Sequence, residues 1–221
     1  MMKRNVYERN KEGKEMKKYL AYVFVLCVML VACGNIEEEN HTESTQGTEI
    51  VQETESEFWI EIEDAADILL KTWKEYENGE HFKIMGGHFS APSIGLPAKY
   101  DLSQTTDLVQ MYCFPENQFS VVDDAATVID LYNAARFTAG AYHVMESGME
   151  QGLIDGIKSQ VANNEWHGEK PEKLMIIKVD DQYVVSVYGR EILVDQFKQK
   201  LESVYQTMIE VVVEEKFFKK F

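Results

Sequence analysis

An uncharged apolar run close to the N-terminus constrains this chain of 221 residues more than any other feature. The run, Tyr19 to Ala32, contains fourteen residues and follows the basic pair Lys17-Lys18. It is short for a membrane-spanning helix, which needs about 20 apolar residues. A basic segment, an apolar segment and a small residue before the cleavage point are typical of a secretory signal peptide. The chain is therefore predicted to leave the cytoplasm.

A cysteine directly follows the small residue, in the order Leu30-Val31-Ala32-Cys33. This tetrapeptide resembles the lipobox of bacterial lipoproteins. The resemblance implies diacylglyceryl transfer to the Cys33 thiol, cleavage between Ala32 and Cys33, and a mature chain held in the cell membrane on its outer side. Two acyl chains give a stable anchor because each buried methylene contributes about 0.8 kcal/mol. The alternative is a signal-anchor helix with an incidental cysteine.

Composition divides the chain into three segments. Residues 1–32 form the predicted signal peptide, with translation starting at either Met1 or Met16. Residues 33–57 comprise the lipidated cysteine and an acidic disordered tether; residues 34–57 hold eight glutamates and no Lys or Arg, too polar a segment to bury a core. Residues 58–221 are long enough for one globular domain.

The charge of the mature chain restricts its partners. Of 22 Lys/Arg and 38 Asp/Glu, seven and three lie in residues 1–32, which leaves 15 and 35 in residues 33–221 and a net charge of −20. Such a surface repels phosphate backbones, so a nucleic acid is not an expected partner. It is compatible with cationic partners. Because Cys33 is consumed by lipid, Cys113 alone remains in the domain, and it is predicted to be a buried, inert thiol.

Hydrophobic periodicity predicts an α+β domain. A helix capped by Asp64 is followed by a long Gly/Pro-containing loop over residues 86–106 and a strand from Leu108 to Phe114. A second helix is predicted to begin at Asp123-Asp124 and continue to Ala135, and whether it runs on through residues 137–144 stays open. A further helix is expected over Met149 to Asn163.

The last part of the domain gives the clearest pattern. Residues 173–179 and 182–189 flank the polar pair Asp180-Asp181 and predict a β-hairpin. An amphipathic helix follows from near Arg190, with its apolar stripe ending at Met208. Together these elements predict a two-layer sandwich, in which a small, mostly antiparallel sheet carries helices on one face.

The chain carries Gly86-Gly87, Phe114-Pro115, Asp123-Asp124-Ala125-Ala126 and Pro171-Glu172-Lys173-Leu174 in an order that resembles an uncharacterised family of small Gram-positive lipoproteins. That family has a signal peptide, an acidic tether and one α+β domain of unknown function, so the resemblance implies location and fold but no activity. Where the family carries Trp-Met-Cys-Gly-Phe-Pro, this chain has Trp166 to Pro171 without the cysteine. The residues that carry the resemblance are Gly86-Gly87, Tyr100-Asp101-Leu102-Ser103, Phe114-Pro115, Asp123-Asp124-Ala125-Ala126, Asn133-Ala134, Phe137-Thr138-Ala139-Gly140-Ala141-Tyr142-His143, Trp166, Pro171-Glu172-Lys173-Leu174 and Tyr183-Val184-Val185-Ser186.

Four residues are candidate ligand or partner contacts. Asn133 and Arg136 are polar groups within a run of small apolar residues, where the guanidinium of Arg136 suits a carboxylate. The alternative for both is an internal ion pair or a helix-end interaction. Trp166 and His167 lie on the connection into the hairpin, where an aromatic side chain serves either packing or binding.

Catalytic and metal motifs are absent from the sequence. There is no phosphate-binding glycine loop, no Gly-x-Ser-x-Gly elbow and no His spacing typical of zinc sites. No catalytic residue, metal or cofactor is therefore predicted. The C-terminal Lys216-to-Phe221 segment either contacts membrane headgroups or places cations at the end of a helix.

These features favour a non-enzymatic, lipid-anchored binding or interaction module, whose partner is an envelope protein or a small-molecule ligand. The alternative is an envelope hydrolase or metal-dependent enzyme with its site near the 86–106 loop. A solute-binding protein of a transporter is disfavoured because the domain is small for two lobes.

Replacing Cys33 by Ser tests the anchor. We expect Cys33→Ser to prevent lipidation and cleavage, so that the protein no longer appears as a processed, detergent-extracted species in membrane fractions. The matched control is Cys27→Ser, within the apolar run, which should leave processing unchanged. An uncut and membrane-bound wild type with an unmodified Cys33 thiol would contradict the prediction.

Overall fold

The structure is a computed structural model, and it describes residues 59–166 and 168–217. Within this part of the chain four helices, eight strands and two short 3-10 turns alternate, and the turns are Glu116–Val121 and Gln206–Met208. The helices are α1 (Ala65–Lys74), α2 (Thr105–Tyr112), α3 (Glu150–Asn163) and α4 (Glu191–Tyr205). The strands are β1 (Ile84–Gly86), β2 (Ser93–Ile94), β3 (Ala98–Lys99), β4 (Val122–Asp130), β5 (Phe137–Val144), β6 (Lys173–Val179), β7 (Tyr183–Gly189) and β8 (Ile209–Lys216).

The eight strands form one antiparallel sheet. Its order is β2-β1-β4-β5-β7-β6-β8, and β3 pairs with β4 beside β1. The α+β class and the antiparallel sheet predicted from the sequence are confirmed. None of the helices within the described residues is long and apolar enough to cross a membrane.

Helices cover both faces of the sheet. On one face, α1 and α4 pack with Met175, Ile177 and other alternate strand residues. On the opposite face, α2 and α3 pack with Leu174, Ile176 and their neighbours. The expectation of helices on a single face is therefore corrected. Because both faces are buried, the central strands are apolar on both sides, which hides the two-residue alternation of a half-exposed strand.

Helix α1 begins at a pair of carboxylates. The Asp64 side chain accepts a hydrogen bond from the Asp67 N–H at 2.9 Å, as its predicted capping role requires. Asp124, on β4, accepts the Ala65 N–H at 2.7 Å. Asp124 was expected to cap a helix of its own; instead it caps α1 from the neighbouring strand.

In the middle of the domain, a predicted strand is a helix and a predicted helix is a strand. The segment from Leu108 to Phe114, predicted as a strand, lies largely in α2, which ends at Cys113 in a left-handed conformation (φ 53°). The predicted helix after Asp123 is β4, and residues 137–144 form β5. Alanine-rich strands buried on both faces cannot be distinguished from helix by periodicity alone.

The C-terminal region adds a strand that the pattern did not predict. Helix α4 ends at Tyr205, before Met208, and β8 then pairs with β6 at the edge of the sheet. Its register shifts between Ile176 and Ile177, so β8 contains a bulge at Val212. Lys216 therefore ends a strand, which corrects the helix-end interpretation, and residues 218–221 lie outside the described part of the chain.

Gly140 in β5 provides a test of packing on the sheet face that α2 and α3 cover. The fully buried Tyr142 ring folds back over Gly140, so a Cβ at that position would overlap the phenol hydroxyl. We expect Gly140→Ala to lower the free energy of unfolding by about 1–3 kcal/mol, the usual cost of overpacking a core.

The matched control is Gly152→Ala in the exposed part of α3. There the nearest atoms to a new Cβ belong to the flexible end of the Gln118 side chain, at 3.0 Å. Alanine should raise helix stability by about 0.5–1 kcal/mol. Urea denaturation of both variants measures the difference, and equal effects would show that the Tyr142 ring is free to move away.

Candidate functional site: an acidic groove at one end of the sheet

Asn133 and Arg136 are used within the domain. The Arg136 guanidinium bonds to the carboxylate of Asp130, whose side chain is fully buried at the end of β4. Asn133 accepts the Ala135 N–H at 3.0 Å, and its own N–H donates to Asp130 at 3.1 Å. The internal ion pair, one of the two alternatives, is therefore present. Asp130 was missed because its partner lies six residues away across a turn.

Trp166 also packs internally. Its ring lies edge-on to Tyr188 with 5.6 Å between centroids, and its indole N–H donates to the Val161 carbonyl at 3.2 Å. His167 lies outside the described residues. Cys113 is buried, as expected, and burial raises the pKa of its thiol to about 11. The thiol is therefore protonated at neutral pH, as is typical of an unreactive cysteine.

The 86–106 loop is partly ordered by buried hydrogen bonds. The hydroxyls of Tyr112 and Thr127 both donate to the Gly87 carbonyl at 3.1 Å, which fixes the turn after β1. Further along, Ile94 and Leu96 are 63% and 50% exposed. The loop thus presents apolar side chains to solvent, as a binding surface would.

One polar contact in this loop joins residue types that serve in catalysis. Ser90 Oγ lies 2.7 Å from His88 Nδ1. The pKa of Asp101 is lowered, mainly by the Ser103 N–H and to a smaller extent by the charge of His88. Asp101 is therefore near the imidazole, but its carboxylate accepts a hydrogen bond from the Ser103 N–H at 3.0 Å. A serine, a histidine and a carboxylate are present here without the orienting bond of a catalytic triad.

Six carboxylates lie at one end of the sheet, where β4, β7 and β8 begin and β5 and β6 end. We call it the acidic end; its carboxylates are Asp64, Asp123, Asp124, Asp180, Asp181 and Glu210. One row of paired residues crosses it, namely Asp124, His143, Tyr183, Val179 and Ile209.

Several carboxylates of the acidic end act on the Tyr183 phenol. Burial raises the pKa of this phenol, and the charges of Asp124, Asp64, Asp123 and Asp180 raise it further. On one side of the end, Lys99 Nζ lies 2.8 Å from Asp124 and 3.6 Å from Asp64. His143 Nδ1 lies 2.6 Å from Asp123. On the β4 side of the acidic end, Lys99 therefore pairs with Asp124 and Asp64, and Asp123 is hydrogen-bonded to His143.

The other side holds an open groove of about 320 Å³, which we call the Trp59 groove. Its floor is the turn before β8, because the Ile60 N–H points to Met208 Sδ at 3.4 Å and the Asp180 N–H donates to the Met208 carbonyl at 2.8 Å. Asp180 adopts a left-handed conformation (φ 56°) in the hairpin turn, which spans residues 180–182. Its lining includes Trp59, Lys178, Asp180, Asp181, Ile209 and Glu210.

Carboxylates in this groove are unbalanced. None of the ion pairs between described residues involves Asp180, Asp181 or Glu210, while Lys178 is 2.8 Å from Glu150. The pKa of Lys178 is raised, first by its bond to Glu150 and also by Glu210 and Asp181. Beside these groups the Trp59 ring is 67% exposed. An exposed indole next to unpaired carboxylates is suited to binding a cation.

Comparisons with known proteins found no family model, curated protein or solved structure that matches the chain. Among the described residues, no group of three or more His, Cys, Asp or Glu side chains could hold a metal ion. The groove is not apparent from the sequence because its lining residues lie in three segments, about 120 and 30 residues apart. The Asp180-Asp181 pair was recognised only as a turn.

Proposed function

We propose that this chain is a lipid-anchored extracytoplasmic binding module that holds a cationic segment of an envelope partner in the Trp59 groove. The anchor rests on the signal peptide and on the lipobox that ends at Cys33. The binding role rests on the groove, and the net charge of −20 for residues 33–221 agrees with a cationic partner.

The observation that carries the proposal is the exposed Trp59 ring beside three carboxylates with no ion pair. Trp73 of the same domain is buried, whereas Trp59 is 67% exposed on the lining of a groove that also contains these carboxylates. A lysine or arginine over an indole face gains about 0.5–2 kcal/mol. The nearby carboxylates attract the same cation. Their negative charge is not neutralised by Lys178, because Lys178 is already bonded to Glu150.

Replacing the indole tests this role. The probe is the peptide acetyl-Lys-Thr-Val-Thr-Lys-amide, titrated calorimetrically at low and at physiological ionic strength. We expect Trp59→Ala to weaken binding about 3- to 30-fold, the range that corresponds to a cation–π contact. Asp180→Asn with Asp181→Asn should weaken it further and reduce its salt dependence, because screening acts on the charges removed.

Trp166→Phe is the matched control, because Trp166 packs against Tyr188 away from the groove. Its affinity for the peptide should equal that of the wild type. Equal affinities for the wild type, Trp59→Ala and the Asp180→Asn, Asp181→Asn double variant, or peptide binding without salt dependence, would refute a cationic site at Trp59.

A second candidate function, hydrolysis at the 86–106 loop, is favoured only by the contact between Ser90 and His88. The contact joins residues two apart in an exposed turn, and Asp101 is bonded to Ser103, so we expect no activated serine. A fluorophosphonate probe should therefore label the wild type and Ser90→Ala equally weakly. Labelling at Ser90 that disappears in both Ser90→Ala and His88→Ala would overturn this expectation in favour of a hydrolase.

A further inference from the structure

The outer side of β8 is the long open edge of the sheet. Among the described strands β8 has β6 as its single neighbour, and it extends over eight residues. At the opposite edge, β2 has two residues. A strand edge of this length offers main-chain donors and acceptors to an added strand.

The ends of β8 fix which backbone groups face outward. Met208 accepts the Asp180 N–H on the inner side, and the Phe217 N–H donates inward to Glu172. Main-chain groups alternate between the two sides of an antiparallel strand. Counting from each end to the bulge at Val212, the outward-facing backbone groups belong to Ile209, Val211, Glu214 and Lys216.

The N-terminal half of this edge continues into the Trp59 groove. Ile209 and Glu210 belong both to β8 and to the groove lining. Val211 follows and is 36% exposed. A chain lying along Ile209 and Val211 would therefore run beside the groove whose lining includes Glu210 and Trp59.

Charge indicates what can occupy this edge. In antiparallel self-pairing centred on Val212, Glu210 of one copy would face Glu214 of the other, and like charges directly opposite are destabilising. Glu214 and Glu215 are bonded to Lys173 and Lys158 of their own chain, so Glu210 is the unpaired glutamate of the strand. An incoming strand is therefore favoured when a basic residue lies near Glu210.

We infer that the partner segment is an extended basic peptide that adds to β8 as a ninth strand, pairing with the backbone of Ile209 and Val211 and placing a lysine or arginine in the Trp59 groove. This inference rests on the proposed function and adds main-chain pairing to it. Pairing through the backbone supplies affinity, and the groove supplies the preference for a cation.

The test separates backbone pairing from charge. The full chain with Cys33→Ser is titrated with acetyl-Lys-Thr-Val-Thr-Lys-amide and with the same peptide N-methylated at every backbone nitrogen. N-methylation retains the charges and side chains but prevents strand pairing. We expect the methylated peptide to bind at least tenfold more weakly.

Val211→Pro removes the outward N–H without breaking the ladder to β6, since proline is tolerated where the N–H of an edge strand faces solvent. It should abolish the difference between the two peptides, whereas Val211→Ala, which keeps the N–H, should preserve it. If Val211→Pro does not fold, the peptide pair on the unsubstituted strand still decides the question.

Three results would overturn the inference. If both peptides bind equally and Trp59→Ala weakens both, the groove binds cations without strand addition, and the proposed function stands alone. If neither peptide binds, the proposed function fails as well. If sedimentation shows a dimer that Val211→Pro dissociates, or if deleting residues 34–57 exposes β8 to hydrogen exchange, a second copy or the tether occupies the edge instead.

Discussion

The backbone ladder of the central strands is the constraint on which the rest of this structure depends. β4, β5, β7 and β6 lie between helices on both faces, so their amide and carbonyl groups are out of reach of solvent and are satisfied by neighbouring strands. Side chains on both faces must then be apolar or small. Charged groups are confined to the ends of the strands, and one end collects the carboxylates that define the candidate site.

The same constraint explains what the sequence could predict. Local chemistry identified α1, because Asp64 caps it, and the β6–β7 hairpin, because a polar turn separates two apolar runs. It failed at β4 and β5, where alanines and a glycine on doubly buried strands imitate a helix. It also failed at β8, since three consecutive valines after an amphipathic helix have no alternation that marks a strand.

The four candidate contact residues show how little of the candidate site could be predicted from the sequence. Arg136 and Asn133 were noticed for their polarity in an apolar stretch, and that polarity serves the buried Asp130. Trp166 was noticed as an aromatic on a connection, and it packs on Tyr188. By contrast, no local pattern marked Trp59 or Glu210, and Asp180 was noticed only as part of a hairpin turn. Their relation exists only in three dimensions, after the hairpin turn, the start of β8 and the segment before α1 converge.

The bulge at Val212 has a consequence for association. Because it interrupts the two-residue repeat of β8, the outward groups at Val211 and Glu214 are three residues apart, and a straight strand can stay in phase with only one half of the edge. A long, regular strand from another sheet therefore cannot mate along the full length. The bulge therefore favours pairing with a short segment and discourages the edge-to-edge joining of sheets from different molecules that leads to aggregation.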